Sequence, residues 1–246
     1  MDKKIVIGVG EFLWDITPTG KRAGGAPVNF AYHASCDEVE GWAVSAVGKD
    51  GLGRELLTVA KEKGIRLLVA EVDRPTGTVD VILNNGQPDF HIHENVAWDY
   101  IPLTDELLKK ASSASAIPFG TLAQRSPVSR ATTQALLKAA SESSWKVYDI
   151  NLRQKFWSKE LIEESLQLAN VIHSRVILCN LCGSLSHAKA NFHYNGICVI
   201  EQLGKVKCSV LKRYAPDLMQ FVITASLAFC HASCTDYISF YCTAKK

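Results

Sequence analysis

Apolar and polar positions along this chain fall into short runs whose rhythm changes with position. The run IVIGVG, residues 5–10, is an unbroken apolar stretch of the kind that builds a buried strand. Lys21 to Gly25 read as a turn, and a helix follows from Pro27, a residue suited to a first helical turn, through Val28, Ala31 and Tyr32. AVSAVG, Ala43 to Gly48, predicts a second strand, and KDGLG a turn after it. Arg54 to Lys63 have the periodicity of an amphipathic helix that stops at Gly64. Thr78 to Leu83 alternate like a strand with two faces, Asn84-Asn85-Gly86 is a hairpin signal, and Phe90 and Ile92 resume the alternation. These residues predict a two-stranded flap inserted among α/β units.

From residue 104 the rhythm becomes helix, strand, helix, strand. Thr104 caps a helix with Asp105 and Glu106 in its first turn, where negative charge is favoured. Ala116 to Gly120 predict a strand, Ser126 to Ala140 a helix with Leu136 and Leu137 on its apolar side, and Lys146 to Ile150 a strand. Ser158 to Leu168 predict a further helix, and Asn170 to Ile172 start another strand. Such alternation argues for an α/β protein with a mostly parallel sheet covered on both faces. Ligands bind such sheets beyond the carboxyl ends of the strands, here Gly10-Glu11, Gly120-Thr121 and Asp149-Ile150-Asn151.

After His173 the pattern dissolves. VILCNLC and ICVIEQL are candidate strands, but helical periodicity and caps are gone. Composition changes at the same place. Cys36 is alone in residues 1–172, and the other seven of the eight cysteines crowd residues 173–246. Residues 1–172 carry 19 Lys and Arg against 22 Asp and Glu, a net of −3; residues 173–246 carry 8 against 3, a net of +5. The expected boundary therefore falls near residue 172, with a Cys-rich tail beyond it. The whole-chain charge of +2 gives no reason to expect nucleic acid as a partner. Residues 218–234 are apolar but broken by Gln220 and His231, and no stretch reaches the roughly 18 apolar residues of a membrane span. The N-terminus lacks the apolar core and cleavage site of a signal peptide, so a cytoplasmic, reduced protein is expected.

Candidate chemistry gathers at GGAPVNFAYH, residues Gly24 to His33. Paired glycines let a ligand approach the backbone, the helix start aims free N–H groups at that turn, and Asn29 offers a donor and an acceptor beside them. The same pattern also fits a tight turn into an ordinary helix. Asp15 could accept hydrogen bonds from two sugar hydroxyls, or be a solvated turn aspartate. In DINLR, residues 149–153, Asn151 and Arg153 alternate with apolar neighbours and can point the same way. Arg153 suits an anionic or polyhydroxy ligand, or a surface ion pair.

Together these stretches resemble the ribokinase-like (PfkB) carbohydrate kinases, most nearly the bacterial fructokinase branch. The matching residues are GEFLWD (10–15), GGAPVNFAYH (24–33), SAVGKDGLG (45–53), PTGTVDV (75–81), FGTLAQR (119–125) and DINLR (149–153), in the family's order. The resemblance covers residues 1 to about 172. It implies a three-layer α/β/α ribokinase-like fold with a small β lid around residues 12–16 and 78–93, incomplete at its C-terminal end. It implies transfer of the γ-phosphate of ATP to a sugar hydroxyl with magnesium, fructose being favoured, and homodimers through the lid as in some relatives. By resemblance Asp15, Gly24, Gly25 and Asn29 would hold the sugar. Asn151 and Arg153 would line the site near the transferred phosphate or the sugar's far end, and Ala97-Trp98 would close over the substrate.

The family's later motifs are not found. None of Asn180, Asn191 or Asn195 has a glutamate three residues on; Gly183, Gly196 and Gly204 are too scattered for a Gly-Ala-Gly-Asp turn; neither Asp217 nor Asp236 follows a glycine. That turn would stabilise the transferring phosphate and supply the base. No catalytic residue is therefore assigned, and the expectation is a chain without turnover whose reading frame shifted near His173. Two other readings stand beside it. One is a sugar-binding sensor; the other is a zinc module built from Cys179, Cys182, His187, His193 and Cys198, whose spacing lacks a second Cys-x-x-Cys pair.

Overall fold

The computed structural model describes residues 4–35, 39–84, 87–173, 197–201 and 205–206. The elements run in the order β1 (Ile5–Val9), β2 (Leu13–Thr17), β3 (Gly20–Gly24), α1 (Ala26–Ser35), β4 (Glu40–Gly48), α2 (Gly51–Glu62), β5 (Arg66–Val72), β6 (Gly77–Asn84) and β7 (Gln87–Ile92). A 3-10 turn at Ala97–Tyr100 leads to α3 (Asp105–Ser112), β8 (Ala116–Gly120), α4 (Pro127–Ala139), β9 (Trp145–Asp149), α5 (Lys159–Leu168), β10 (Val171–His173), β11 (Ile197–Glu201) and β12 (Lys205–Val206).

The main sheet has the strand order β12-β11-β10-β9-β8-β1-β4-β5. From β10 to β5 all neighbours are parallel, and β11 and β12 extend it antiparallel beyond β10. Period-two alternation sends Ile7, Val9, Val44, Ala46, Ile117, Phe119 and Tyr148 to one face, where Leu107 and Ala111 of α3 and Leu136 and Leu137 of α4 cover them. Val6, Ala116, Val147 and Val171 face the other way against Phe30 and Ala34 of α1. Ala43 and Val47 lie on that second face with Val28 and Ala31 of α1 and Leu56 and Ala60 of α2. The result is the expected three-layer α/β/α arrangement. Among the described residues no helix is long and apolar enough to cross a membrane.

Helix starts follow the expected chemistry. The Thr104 hydroxyl accepts from the Leu107 N–H, the Ser158 hydroxyl from the Leu161 N–H, and the Asp50 carboxylate from the Gly53 N–H. Asp50 reaches further, accepting from the backbone N–H and the hydroxyl of Thr76 at 2.8 and 2.7 Å. It therefore ties α2 to the crossing between β5 and β6.

The lid differs from the two-stranded flap that the alternation predicts. It is a four-stranded sheet, β3-β2-β6-β7, made of two hairpins that join through the parallel pair β2–β6. Residues 21–24 belong to strand β3 rather than to a turn, and the helix starts at Ala26. GKRAG shows no hydrophobic period because β3 is an exposed edge strand defined by its pairing with β2. Edge strand β5, RLLVAEV, lacks a clean alternation for the same reason: it is only partly buried. Asn85-Gly86, VILCNLC, residues 218–234 and the candidate zinc ligands Cys179, Cys182, His187 and His193 lie outside the described residues, as does the side chain of Cys198.

Candidate functional site

The carboxyl ends of β1, β8 and β9 meet the N-terminus of α1. A small cleft there is lined by Glu11, Ala26, Pro27, Gly120, Thr121, Leu122, Asp149 and Asn151. The strand ends are pinned together: the Thr121 N–H donates to Asp149 O at 3.1 Å, and the Thr121 and Tyr148 hydroxyls are 2.8 Å apart. Glu11 is 7% exposed, and its Oε1 accepts from the Ala26 N–H at 3.4 Å, placing a carboxyl at the start of α1. Burial pushes the Glu11 carboxyl above the usual carboxylate range. The charge of Asp149 adds to that rise, while backbone N–H bonds and the Arg125 charge oppose it.

Asp15 sits on lid strand β2, opposite Arg22 of β3 and two residues from Leu13. That spacing puts it on the same lid face as Leu13, which packs with Val79, Ile92, Trp98 and Leu122 toward the main sheet. Burial pushes the Asp15 carboxyl up to about 6, against the opposing pull of Arg22. A Cβ on Gly24 would lie 2.6 Å from Asp15 Oδ2, so the carboxyl occupies the space a side chain would need. Gly25 has φ +120°, and a Cβ there would lie 2.1 Å from Glu11 O. Only glycine lets the chain pass from β3 into α1 this close to Glu11.

The sequence-predicted residues divide between two clefts. Gly24 and Asn29 line a second depression between α1 and α2, with Phe12, Tyr32, His33 and Lys63. Asn151 lines the first, with Glu11. Asp15 and Gly25 lie between, touching Gly24 and Glu11 respectively. Arg153 is on the loop after β9, its guanidinium 6.0 Å from the Phe90 ring of the lid. Ala97 and Trp98, expected to close over the substrate, open the 3-10 turn that follows the lid. Both are fully buried at the lid root, and a Cβ on Gly77 would lie 2.5 Å from the Trp98 ring.

Glu11, Thr121 and Asp149 line the cleft without having been singled out for roles. All three stand at strand ends named from the sequence. An acid directly after Gly10, at the end of the first strand, was the available signal for Glu11. Two carboxyls, Glu11 and Asp149, line this cleft and no Lys or Arg does, so it does not suit the phosphates of a nucleotide. Among the described residues no group of three or more His, Cys, Asp or Glu is placed to hold a metal ion. What the arrangement can do is hold a neutral, donor-rich ligand between carboxyls, amides and the N–H groups of a helix start.

Comparison with known proteins fits this geometry. A profile of the pfkB family carbohydrate kinases matches residues 16–174. An uncharacterized sugar kinase of Pyrococcus horikoshii is 29% identical over 168 residues, which are 65% of this chain and 54% of that protein. An ATP-dependent 6-phosphofructokinase of Thermoanaerobacterium thermosaccharolyticum is 28% identical over 172 residues, 64% of this chain and 53% of the relative. The chain thus spans about half the length of these curated relatives. Among solved structures, the P. horikoshii sugar kinase in complex with ATP superposes with a TM-score of 0.67 at 20% identity, over 92% of both chains. The fructokinase of Xylella fastidiosa with bound ATP gives 0.59 at 20% identity, over 70% of this chain and 57% of that one. At these identities the likeness establishes the fold.

Proposed function

This chain belongs to the pfkB family of carbohydrate kinases, and on that premise we propose that residues 1–172 hold a sugar between lid and main sheet, with fructose the first candidate. The observation that carries the reading is Asp15, a half-buried carboxyl on the inward face of the lid, seated over Gly24. Ionised, it accepts hydrogen bonds from sugar hydroxyls in a place partly shielded from water, where such bonds are strong. Gly24 leaves room for it, Gly25 brings the start of α1 close, and Asn151 and Arg153 supply further polar contacts, whereas Asn29 lines the separate α1–α2 depression.

ATP with magnesium is the phosphoryl source that the family reading brings. The described residues do not fit a nucleotide at this cleft, so no step is derived through either group. Residues 173–246 contain no Asn-x-x-Glu and no Gly-Ala-Gly-Asp, and the proposal for this chain is sugar binding without turnover, as in a sensor. Pairing of two copies through the lid, where Ile82 is 53% exposed, belongs to the same reading; sedimentation velocity tests it.

Titration with fructose, other hexoses and pentoses, read by thermal shift and calorimetry beside a coupled ADP-release assay, tests the function. Saturable sugar binding without ADP release is the expected result. ADP release on adding sugar and ATP overturns the claim of no turnover, and no binding of any sugar overturns the site.

A further inference from the structure

The loop after β9 does more than carry Asn151 and Arg153. Four consecutive residues, 153–156, all reach the lid strand β7 or its exit. The Arg153 guanidinium lies 6.0 Å from the Phe90 ring. Gln154 Nε2 donates to Phe90 O at 2.7 Å, bridging 64 residues of sequence. Lys155 pairs with Glu94 at 2.8 Å. Phe156 packs 4.5 Å from the Arg125 guanidinium, which itself donates to His93 O at 2.5 Å.

The backbone is bent to make this possible. The Phe156 N–H donates to Arg153 O at 3.0 Å, closing a four-residue turn with Gln154 as its second residue. Gln154 has φ +43°, a left-handed conformation costly for a residue with a long side chain. Asparagine or glycine would relieve that cost at such a position. A glutamine held there sends a donor across to a lid carbonyl, a reach those shorter residues do not provide.

We propose that Gln154 is a positioning residue that latches lid strand β7 to the loop bearing Asn151, so that lid placement and ligand binding at the cleft stabilise each other. The coupling half of this rests on the sugar-site reading above; the latch itself is a property of the ligand-free chain. Since a coupling is reciprocal, a ligand that orders Asn151 must also protect β7. The lid carbonyl needs a donor, so charge and length at 154 separate a latch from a merely structural loop residue.

The experiment is hydrogen exchange by mass spectrometry on the wild type, Gln154→Ala, Gln154→Glu and Gln154→Lys, with and without fructose. Gln154 is exposed, so the variants keep the fold, and exchange in β1, β4 and β8 monitors it. Without ligand, Gln154→Ala and Gln154→Glu are expected to raise exchange in the peptide spanning β7 about fivefold, the scale of one net hydrogen bond. Gln154→Lys, which restores a donor, is expected to return it toward wild type. With fructose, wild-type β7 gains protection, and the Ala and Glu variants lose that gain and bind about fivefold more weakly. Unchanged β7 exchange in the ligand-free Ala and Glu variants overturns the latch. Fructose binding without β7 protection in the wild type overturns the coupling. If the wild type binds no sugar, the sugar reading fails while the ligand-free comparison still decides the latch.

Discussion

Arg125 and Asp99 form a two-pronged ion pair, Nε to Oδ1 at 2.8 Å and Nη2 to Oδ2 at 2.9 Å, with only 6% and 5% of their side chains exposed. The Trp98 ring lies 3.9 Å from the same guanidinium, and Asp99 Oδ2 also accepts from the Val96 N–H. The pair therefore joins the lid's exit, the 3-10 turn and the loop after β8. Arg125→Ala would leave Asp99 buried without its cation, a loss of about 3–5 kcal/mol. Arg125→Lys cannot reproduce the fork and should recover only part of it. Chemical denaturation of both variants checks this: a loss below about 1 kcal/mol for Arg125→Ala would show that the pair does not anchor the lid root.

Asp15 should make stability and binding pull in opposite directions with pH. Its carboxyl is raised from the ordinary 3.8 to about 6 by burial. Between those values the folded chain holds a proton that the unfolded chain has lost, so this residue's contribution to stability falls as pH rises through the window. Sugar affinity runs the other way, strengthening as Asp15 ionises above about 6. Asp15→Asn should flatten both trends. At pH 8 it should raise stability by about 1–2 kcal/mol, a discounted share of what such a shift implies, while weakening sugar binding at least about tenfold. Denaturant melts and sugar titrations from pH 5 to 8 would disprove this if the variant kept the wild-type pH slope.

Much of this architecture was legible because dense apolar strands announce themselves. Ile5–Val9 and the end of β4 are buried on both faces, and their sequences are nearly continuous apolar runs. Helix α3 was marked by its cap at Thr104, and the structure adds a cap at Ser158, where the α5 pattern begins. Strands β3 and β5 were not legible, since an edge strand owes its existence to a partner elsewhere in the chain and needs no apolar period of its own. That is why lid strand β3 read as a turn, while the family resemblance alone placed residues 12–16 in the lid.

The site was legible in its backbone and less so in its side chains. Gly25 was readable as a turn glycine, and its left-handed φ confirms that need. Asp15 was readable as a carboxyl near it. The packing of Trp98 was not legible, because nothing local reveals that Gly77 and Arg125 lie against it. Asn29 shares the α1–α2 depression with Gly24, not the cleft of Asn151, a separation that spacing along one helix cannot disclose.

Gly24→Ala should damage binding more than folding. The added methyl would stand 2.6 Å from Asp15 Oδ2, the far end of a side chain that can rotate away. The expected result is a melting temperature within a few degrees of wild type, with a loss of sugar affinity comparable to that of Asp15→Asn. Gly25→Ala is the contrast. It meets the Glu11 carbonyl at 2.1 Å with φ +120°, and neither backbone can yield cheaply. Its expected cost is above about 2 kcal/mol. Equal stability of the two variants in urea would refute this division.

Asp50 provides the test of how the lid is tied to α2. Burial raises its carboxyl, but the bonds from the Thr76 backbone, the Thr76 hydroxyl and the Gly53 N–H together outweigh that and hold it below 3.8. A depressed acid contributes stability that is present above its unfolded value and lost as pH falls through its folded one. Stability of the wild type should therefore drop below pH 4, and Asp50→Ala should shrink that drop. At neutral pH the variant loses a helix cap and the grip on Thr76, and about 1–2 kcal/mol with them. Asp50→Asn keeps the capping oxygen for Gly53 but turns an amide NH2 toward the Thr76 N–H, so it should keep the cap, lose the Thr76 backbone bond and lose the acid dependence. Urea melts at pH 3, 4 and 7 separate the two effects. An Asp50→Asn variant as acid-sensitive as wild type would mean that other carboxylates, not this one, govern the response.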